Sequence, residues 1–358
     1  MVDDIKILLT GSGAPGTRGT IYCIQEGAKK SGNSVEIIGV DRNPLNSGIG
    51  FCSKIYEVPS PEDVRYPGKI RDICLQEKID LILPQTTREI EAFSQGIIQD
   101  CNAKVLVNPS SVISFFNDKI KTAEIFRDNK LGYPDFRVPS NIGEFESACH
   151  ELGYPRSKVV VKLAVSNGMR GLRILNSMPW NYEKFRNEKP SGVEIRLEEM
   201  KIILESAPTW PRLVVCEYLE GDEYSVDCFR GKAGELAIPR KRNIIRSGIS
   251  FQTTLERNTE IIESSLQVAR LGGLTGVFGF QFKMKDGKPK VLECNPRVQG
   301  TMVASLISGN NLIWAAIAEL LPKKIKPYNL NQDWNIGSCY RYWGAVLERK
   351  ISMNLEIV

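Results

Sequence analysis

Histidine is almost missing from this chain of 358 residues, which contains only His150. A catalytic triad, a histidine-ligated metal or a histidine general base would each depend on that single residue. We expect it to lie in an exposed helix, so the sequence disfavours all three chemistries. The patterns G-x-x-x-x-G-K-[ST] and G-x-S-x-G are also missing, which argues against ordinary P-loop kinases and α/β-hydrolases.

Cysteine pairs of the C-x-x-C type are missing as well. The nine cysteines are scattered, and most of them, such as Cys23, Cys101 and Cys216, have apolar neighbours. We therefore expect reduced core residues of a cytoplasmic protein instead of a disulfide framework or a zinc site. The acidic first four residues differ from the basic start of a signal peptide.

Long uninterrupted apolar runs do not occur either. The most apolar stretch, 302–321, contains Gly309, Asn310, Asn311 and Glu319. This composition is typical of one or two buried helices and not of a membrane span. The charge is nearly balanced, with 47 Lys and Arg against 42 Asp and Glu. We therefore expect neither a membrane nor a nucleic acid as a partner, while the small cationic excess fits an enzyme that handles phosphates.

The first 110 residues alternate short apolar runs with helical patterns, and the whole chain is long enough for two or three domains. Continuous apolar strands separated by helices are typical of a parallel sheet covered on both faces, so we predict a Rossmann-like domain. The predicted strands are 5–9, 35–40, 81–84 and 105–107. The predicted helices are 17–31 and 68–77.

The character of the sequence changes after Pro109. We predict a helix from Asn117 to about Lys130 with Asp118 as its N-cap. The predicted strands are 158–163, 172–175, 212–217, 224–230, 235–239, 278–285, 290–294 and part of 338–346. A charged helical region is predicted over 193–205 and a mobile loop over 183–191. The turn 285–288 (KDGK) predicts a hairpin between the strands around it.

The segment Gly11–Gly16 fits the pattern G-x-G-x-x-G between a strand and a helix, and Asp41 ends the second strand. Such glycines let a backbone approach a pyrophosphate at a helix N-terminus, and the acidic residue can bind a ribose. Pro15 removes one donor N–H from this loop, and Arg18 adds a positive charge. Two interpretations stay open, an NAD(P)-binding oxidoreductase or a Rossmann-like turn without a dinucleotide.

A second group of polar residues lies on the predicted C-terminal hairpin. Glu293 and Asn295 are two residues apart on a strand, so their side chains point to one face. Hairpin pairing brings Gln281 alongside them. Two amide oxygens and a carboxylate suit Mg²⁺, which completes its shell with waters and substrate phosphates. Arg297 follows in the next turn, where its guanidinium can bind phosphate oxygens in a bidentate manner.

The segments 278–283 (FGFQFK) and 292–297 (LECNPR) resemble the metal-binding hairpin of the ATP-grasp superfamily. The similarity is greatest to a single synthetase unit of the carbamoyl-phosphate synthase large subunit, and further motifs follow in the expected order over roughly residues 5–320. The resemblance implies a mixed α/β (α+β) fold, with an N-terminal Rossmann-like parallel sheet followed by a two-lobed ATP-grasp domain.

The family resemblance also implies residues that bind ATP. Basic side chains and the flexible flap 166–171 (SNGMRG) would hold the phosphates, the strand 214–219 (VVCEYL) would hold adenine, and a glutamate would hold the ribose. The implied phosphate contacts are Lys119, Lys162, Ser166, Gly168 and Gly171. The implied adenine and ribose contacts are Glu217, Leu219 and Glu223.

Four segments are expected from the resemblance. They are a Rossmann-like domain over 1–115, a small ATP-grasp lobe with the lid over 116–215, a large lobe with the metal hairpin over 216–325, and a C-terminal extension over 326–358 that packs on the large lobe. In this family the glycine-rich turn faces the acceptor substrate, which disfavours NAD binding. The implied acceptor contacts are Gly13, Arg18 and Lys241.

The implied chemistry is phosphoryl transfer from ATP to a carboxylate or bicarbonate, followed by displacement of phosphate by an amine. Charge builds up on the γ-phosphoryl group, so cations must surround it. The resemblance implies two Mg²⁺ ions, for which Mn²⁺ can substitute, with Glu293 bridging them and Gln281 and Asn295 each completing one. Arg297 would stabilise the transferring group, and Arg242 and Arg246 in the basic stretch 239–248 would assist.

Some features depart from the family pattern. The chain has the length of one synthetase unit and no glutaminase-like Cys-His pair, the flap has few glycines, and Lys162 stands where the synthase resembles an arginine site. Three hypotheses follow: a stand-alone ligase, an NAD(P)-dependent oxidoreductase, or a module that binds ATP without turnover. We expect small-molecule carboxylate and amine substrates and a possible homodimer.

Overall fold

The computed structural model describes residues 4–98, 101–166, 169–190, 192–342, 344–348 and 355–357. The chain divides into two compact units, each made of separate stretches of sequence. Unit 1 consists of Met1–Ser114, Glu223–Gln281 and Cys294–Val358. Unit 2 consists of Phe115–Asp222 and Phe282–Glu293. The four segments expected from the sequence remain a prediction.

Unit 1 begins with strands and helices in alternation. The elements are β1 (Asp4–Thr10), α1 (Thr17–Ser31), β2 (Ser34–Asp41), β3 (Lys54–Glu57), α2 (Tyr66–Glu77), β4 (Leu81–Leu83), α3 (Thr87–Ser94) and β5 (Lys104–Val105). The strands pair in parallel in the order β3-β2-β1-β4-β5. The predicted parallel sheet is therefore confirmed.

The period of two along β1 explains why both faces of this sheet are covered. Ile7 and Leu9 point to one face and share a core with Ile24 of α1. Leu8 points to the other face and shares a core with Ile70 of α2. Each buried aliphatic side chain contributes about 1.5–3 kcal/mol to folding.

Helices and strands continue from residue 110 to the end of the described chain. The helices are α4 (Ser110–Asn117), α5 (Lys119–Asp128), α6 (Ile142–Glu151), α7 (Tyr182–Asn187), α8 (Leu197–Glu205), α9 (Thr259–Leu271) and α10 (Leu312–Leu320). The strands are β6 (Phe136–Arg137), β7 (Val159–Leu163), β8 (Leu172–Leu175), β9 (Glu194–Ile195), β10 (Leu213–Glu217), β11 (Glu223–Gly231), β12 (Gly234–Arg246), β13 (Ile249–Leu255), β14 (Gly276–Lys285), β15 (Lys288–Asn295), β16 (Gly337–Tyr340), β17 (Val346–Glu348) and β18 (Leu355–Ile357). Short 3-10 helices lie at Ser47–Gly50 and Met302–Ser308.

Unit 2 is built on a sheet with the order β6-β10-β7-β8-β9. Its pairs are antiparallel, except that β8 and β9 are parallel. The core on this sheet includes Phe145, Val161, Leu204 and Leu213. The predicted N-cap of α5 is confirmed, because the Asp118 carboxylate accepts hydrogen bonds from the amides of Ile120 and Lys121.

Two local predictions in unit 2 are wrong. The region 193–205 begins with a short strand, because Glu194 and Ile195 pair with β8, and only then becomes helical. The stretch 183–191 is not a loop throughout, because it contains most of α7, whose amide at Lys184 is capped by Asn181. Residue 191 lies outside the described residues.

A third sheet, of six strands, has the order β15-β14-β11-β12-β13-β16. Its strand β12 continues to Arg246, whereas the sequence predicts an end at residue 239. The strand can continue through Arg240 because the charge of this residue is neutralised inside the protein. Arg240 is fully buried in a bidentate ion pair with Asp227, with Nε–Oδ2 2.6 Å and Nη2–Oδ1 2.8 Å. The predicted hairpin turn before β15 is confirmed, since Asp286 and Gly287 have φ values of 50° and 76°.

The stretch 302–321 forms two helical segments, as predicted. Helix α10 packs on α1, where a Cβ on Gly27 would lie 2.3 Å from Trp314 Cγ, so only glycine permits this approach. No single helix in the described ranges is long and apolar enough to cross a membrane. Met302–Ser308 and α10 meet the length and hydropathy criterion only together, and they are bent by 99° at their junction.

Candidate active site

The predicted metal ligands lie on the strands of one hairpin. Gln281 is on β14, and Glu293 and Asn295 are two residues apart on β15. Among the described residues, no group of three His, Cys, Asp or Glu side chains is arranged to hold a metal ion. Gln281 and Asn295 belong to unit 1 and Glu293 belongs to unit 2. A carboxylate and amide oxygens are the donor types that suit Mg²⁺.

Three charged side chains of unit 2 lie near one another: Lys162 on β7, Lys119 on α5 and Glu293 on β15. Lys162 on β7 is only 8% exposed. Burial lowers the pKa of Lys119, while the nearby Glu293 carboxylate opposes this and Lys162 adds to it. The Lys119 ammonium donates to the Ser166 carbonyl oxygen at 2.8 Å and to its Oγ at 3.1 Å. The structure thus brings together four predicted site residues of unit 2, namely Lys119, Lys162, Ser166 and Glu293.

The predicted flap is held at both ends. The amide of Lys119 donates to the Ala164 carbonyl at 2.8 Å, and the amide of Leu163 donates to Gly171 O at 2.9 Å. Gly171 has φ 68°, and a Cβ there would lie 2.6 Å from Leu163 Cδ1, so the position requires glycine. The predicted contact Gly168 lies outside the described residues.

The adenine strand β10 carries Glu217 at its end. Its Oε1 accepts a hydrogen bond from the Asp135 amide at 3.0 Å, and its other oxygen forms an ion pair with Lys285. Leu219, which follows the strand, is 4% exposed. The Glu217 carboxylate therefore already holds two parts of unit 2. Sequence reasoning missed Lys285, although its place at the end of β14 next to the hairpin turn was visible.

In unit 1 the predicted ribose residue Glu223 forms an ion pair with Arg242. Arg242 is buried and also donates to Ser250 Oγ at 2.8 Å and to Gly248 O at 2.6 Å. All three guanidinium nitrogens of Arg242 therefore bind protein atoms. Its neighbour Lys241 is half-buried on β12.

The catalytic prediction Arg297 lies in the turn after β15. Its Nη1 donates to Val298 O at 2.9 Å and its Nη2 to Asn295 Oδ1 at 3.3 Å. Gln299, two residues further, was not predicted. It is 7% exposed, neither side-chain heteroatom has a hydrogen-bond partner among the described residues, and it packs on Gly279. Asn295, Arg297 and Gln299 follow one another at intervals of two residues, and this spacing is the feature of the sequence that points to Gln299.

Residues of the glycine-rich turn make close contacts with other residues of unit 1. The Asp41 carboxylate accepts hydrogen bonds from the amides of Gly13 at 2.9 Å and Asn43 at 3.1 Å. A Cβ on Gly16 would lie 2.5 Å from Gly300 Cα. Both carboxylate oxygens of Asp41 and the last glycine of the motif thus have contacts within the protein. Arg18 lies in the first turn of α1.

Two family models match separate parts of the chain. Residues 7–106 match the family described as "PylC-like, N-terminal domain". Residues 209–338 match the family described as "ATP-grasp in the biosynthetic pathway with Ter operon". The second match includes Glu217, Gln281 and Glu293, and the first includes the glycine-rich turn.

Known proteins resemble the chain over most of its length. The carbamoyl phosphate synthase large chain of Saccharolobus solfataricus is 24% identical over 313 residues, which cover 82% of this chain and 27% of the relative. The chain thus spans about a quarter of that relative's length.

Two solved structures share the fold. The biotin carboxylase domain of the Hydrogenobacter thermophilus 2-oxoglutarate carboxylase, in complex with MgADP, ADP and bicarbonate, matches with a TM-score of 0.65 and 16% identity, covering 93% of this chain and 73% of that one. The L-amino acid ligase of Bacillus licheniformis matches with a TM-score of 0.60 and 16% identity, covering 91% and 75%.

The predicted resemblance to the ATP-grasp superfamily is therefore confirmed, and so is the predicted fold. The chain carries a PylC-like N-terminal domain followed by an ATP-grasp domain, and it is homologous to the carbamoyl phosphate synthase large chain.

Proposed function

We propose that the chain is an ADP-forming ligase that joins a carboxylate, or bicarbonate, to an amine. An acceptor oxygen attacks the γ-phosphorus of ATP, which gives an acyl phosphate and ADP. The amine then attacks the carbonyl carbon, phosphate leaves with the acceptor oxygen, and the amine loses a proton. The observation that carries this proposal is the group Lys119, Lys162 and Glu293, which gathers phosphate-binding cations beside a metal-binding carboxylate in unit 2.

The cations act on the phosphates. Lys162 lies near the end of β7, where it pairs with Leu172 of β8 and Val214 of β10. Lys119 begins α5, and its ammonium is held by Ser166 of the flap. Fixed cations stabilise charge that develops during transfer without reorganising. Gly171 accepts a hydrogen bond from the Leu163 amide at the end of the flap, and in this proposal Gly168 would contribute a backbone amide.

We assign Mg²⁺ to Gln281, Glu293 and Asn295, whose oxygens suit a hard cation. When bound, Mg²⁺ would neutralise charge on the transferring phosphoryl group. The proposal includes two ions, replaceable by Mn²⁺. Arg297 donates to Asn295 Oδ1, so it holds one proposed ligand in orientation as well as carrying a charge for the phosphoryl oxygens.

The nucleotide base and sugar contacts are assigned to residues that the structure fixes. Glu217 is anchored by Lys285 and the Asp135 amide, and the buried Leu219 provides an apolar surface. Glu223 would bind the ribose hydroxyls with the carboxylate oxygen that Arg242 leaves available. Arg242 is thus better described as a positioning residue than as a group that contacts the phosphoryl oxygens.

The acceptor contacts proposed are Gly13, Arg18 and Lys241, with Arg246 as the exposed cation of the basic stretch. We propose small-molecule substrates, a cytoplasmic location and a possible homodimer. The family match of each segment and the bicarbonate and amino-acid chemistry named for the structural neighbours support this assignment.

Calorimetry and an ADP-release screen test the proposal. We expect Mg-ATP to bind and NAD⁺ not to bind, and ADP to form only when amino acids, dicarboxylates or bicarbonate are supplied with an amine. Binding of NAD⁺ without Mg-ATP would favour the oxidoreductase hypothesis. Binding of Mg-ATP without ADP release under any combination would favour a module that binds ATP without turnover.

A further inference from the structure

Arg18 lies close to two aromatic rings. Its guanidinium carbon lies 5.1 Å from the centroid of Phe51 and 5.7 Å from that of Tyr342. The side chain is exposed, and no ion pair joins it to a carboxylate of any described residue. A cation–π contact engages the face of a guanidinium, whereas its N–H donors lie in the plane of the group.

A second arginine comes from the C-terminal segment. The backbone amide of Arg341 donates to Phe251 O at 2.8 Å, which ties this segment to β13. Its side chain reaches the glycine-rich turn, where Nη2 donates to Pro15 O at 3.0 Å. Arg341 is half-buried, and burial lowers the pKa of its guanidinium. Within the described chain no carboxylate forms an ion pair with it.

A third arginine extends the same surface. The guanidinium of Arg246 lies 5.0 Å from the ring centroid of Phe251, the residue whose carbonyl accepts the Arg341 amide. It too has no ion pair with a described residue. Asp41 belongs to the same end of the sheet; backbone amides donate to both of its carboxylate oxygens, and it forms no ion pair with a described arginine.

The absence of counter-ions within the described chain is informative because other arginines of unit 1 do have them. Arg240 and Arg242 each pair with a carboxylate, Asp227 and Glu223 respectively. A half-buried cation without a partner is unfavourable unless something else satisfies it. Arg341 is therefore a half-buried cation without a carboxylate partner among the described residues, and Arg18 is an exposed cation that contacts Tyr342, the residue after Arg341.

The same unit places these two arginines beside the segment that follows Arg297. Gly16 contacts Gly300 so closely that a Cβ on Gly16 would lie 2.5 Å from Gly300 Cα. Arg18 lies two residues after Gly16, and Arg297 lies three residues before Gly300. An acceptor whose reacting oxygen lies at Arg297 therefore has a second cationic region nearby.

We infer that the acceptor substrate carries a second anionic group, a carboxylate or a phosphate, and that Arg18 and Arg341 bind it. This inference rests on the proposed function, since it concerns the substrate of the same site. Arginine is suited to the task because its planar fork binds either group in a bidentate manner. Phe51 and Tyr342 fix the orientation of Arg18, so the C-terminal segment takes part in substrate recognition.

Paired acceptors that differ by one charge test the inference. ADP release is measured with aspartate against asparagine, glutamate against glutamine, and phosphoserine against serine. We expect the anionic member of at least one pair to have a KM at least tenfold lower. The carboxylate pairs and the phosphate pair show which group is bound. ADP release without any preference for the anionic members would overturn the inference while leaving the proposed function intact.

The variant Arg18→Ala makes the test specific to this site. We expect it to raise the KM of the preferred acceptor at least tenfold while the KM for ATP and kcat stay unchanged. Lys29→Ala is the matched control, because it removes one exposed positive charge from the same helix about 16 Å away. An equal effect of both variants, or none from Arg18→Ala, would overturn the inference.

A binding experiment without ATP separates this inference from the proposed function. Succinate and inorganic phosphate are titrated calorimetrically into the wild-type protein and into Arg18→Ala, with acetate as the monoanionic control. We expect at least one dianion to bind tighter than acetate and to lose affinity at least tenfold in the variant. Equal binding in both proteins, or no binding of either dianion, would overturn the inference even if ATP is turned over.

Discussion

Cationic side chains have different surroundings in two regions of the molecule. We call Lys119, Lys162 and Glu293 of unit 2 the proposed phosphate region, and Arg18 and Arg341 of unit 1 the glycine-turn region. In unit 2, Lys119 and Lys162 lie near the Glu293 carboxylate, and Lys119 is held by Ser166. Around the glycine-rich turn, Arg18 and Arg341 rest on aromatic rings and a backbone carbonyl, without an ion pair to any described residue. The cations of unit 2 thus have acidic or polar neighbours within the chain, whereas Arg18 and Arg341 have no carboxylate partner among the described residues.

The largest expected effect comes from removing the carboxylate of the phosphate region. Glu293→Gln keeps the size and shape of the side chain but removes the charge that would hold Mg²⁺. We expect ADP release to fall about 1,000-fold or more, because electrostatic stabilisation is the main contribution to phosphoryl transfer. Steady-state ADP release measures this, with Glu198→Gln on the exposed side of α8 as the control. Turnover within tenfold of wild type would mean that this hairpin is not the metal site.

The second prediction compares a paired arginine with an unpaired one. Asp227→Asn leaves the fully buried Arg240 without its carboxylate, which should cost about 3–5 kcal/mol of unfolding free energy. Arg18→Ala should change stability by less than about 0.5 kcal/mol, because Arg18 is exposed. Denaturant unfolding measures both. Equal destabilisation by the two variants would contradict the distinction between structural and ligand-binding arginines.

A smaller effect is expected for one cation of the phosphate region. Lys119→Ala removes a charged hydrogen-bond donor, and we expect the KM for ATP to rise about 10- to 100-fold with an unchanged acceptor KM. Lys121→Ala, on the exposed side of the same helix, is the control. An effect of Lys119→Ala on the acceptor alone would place this residue in the other region.

The smallest expected effect concerns Gln299 in unit 1. Its buried amide has no hydrogen-bond partner among the described residues, so Gln299→Leu should leave stability unchanged or raise it by about 1 kcal/mol. Thermal unfolding measures this, with Gln252→Leu on β13 as the comparison. A loss of more than about 1 kcal/mol in Gln299→Leu would show that the amide does contribute to folding.

The fold and the hairpin that carries the proposed metal ligands could be predicted because each depends on local patterns. The apolar runs around Ile7 and Leu81 predict the parallel sheet, and Asp286-Gly287 predicts the hairpin that carries Glu293. The assignment of individual site residues stays a prediction, although the structure brings Lys119, Lys162 and Ser166 close to one another.

The contacts that Arg341 and Tyr342 make near the glycine-rich turn could not be predicted, for a physical reason. Arg341 and Tyr342 lie more than 320 residues from Pro15 and Arg18 in sequence, so no local pattern links them. Arg242 has the appearance of a catalytic cation in a basic stretch, and only the structure shows that Glu223, Ser250 and Gly248 occupy it. The predicted end of β12 at residue 239 is too early for a similar reason, because the burial of Arg240 depends on Asp227 of the neighbouring strand β11.

The most direct test of the central claim is the transfer of an oxygen atom. An acceptor labelled with ¹⁸O in its carboxylate, or ¹⁸O-bicarbonate, is incubated with Mg-ATP and an amine, and the released phosphate is examined by mass spectrometry. Attack of the acceptor on the γ-phosphorus predicts one ¹⁸O atom in each phosphate and one ADP per turnover. Phosphate without ¹⁸O, formed alongside ADP, would show that water is the acceptor and would contradict the assignment as a carboxylate–amine ligase.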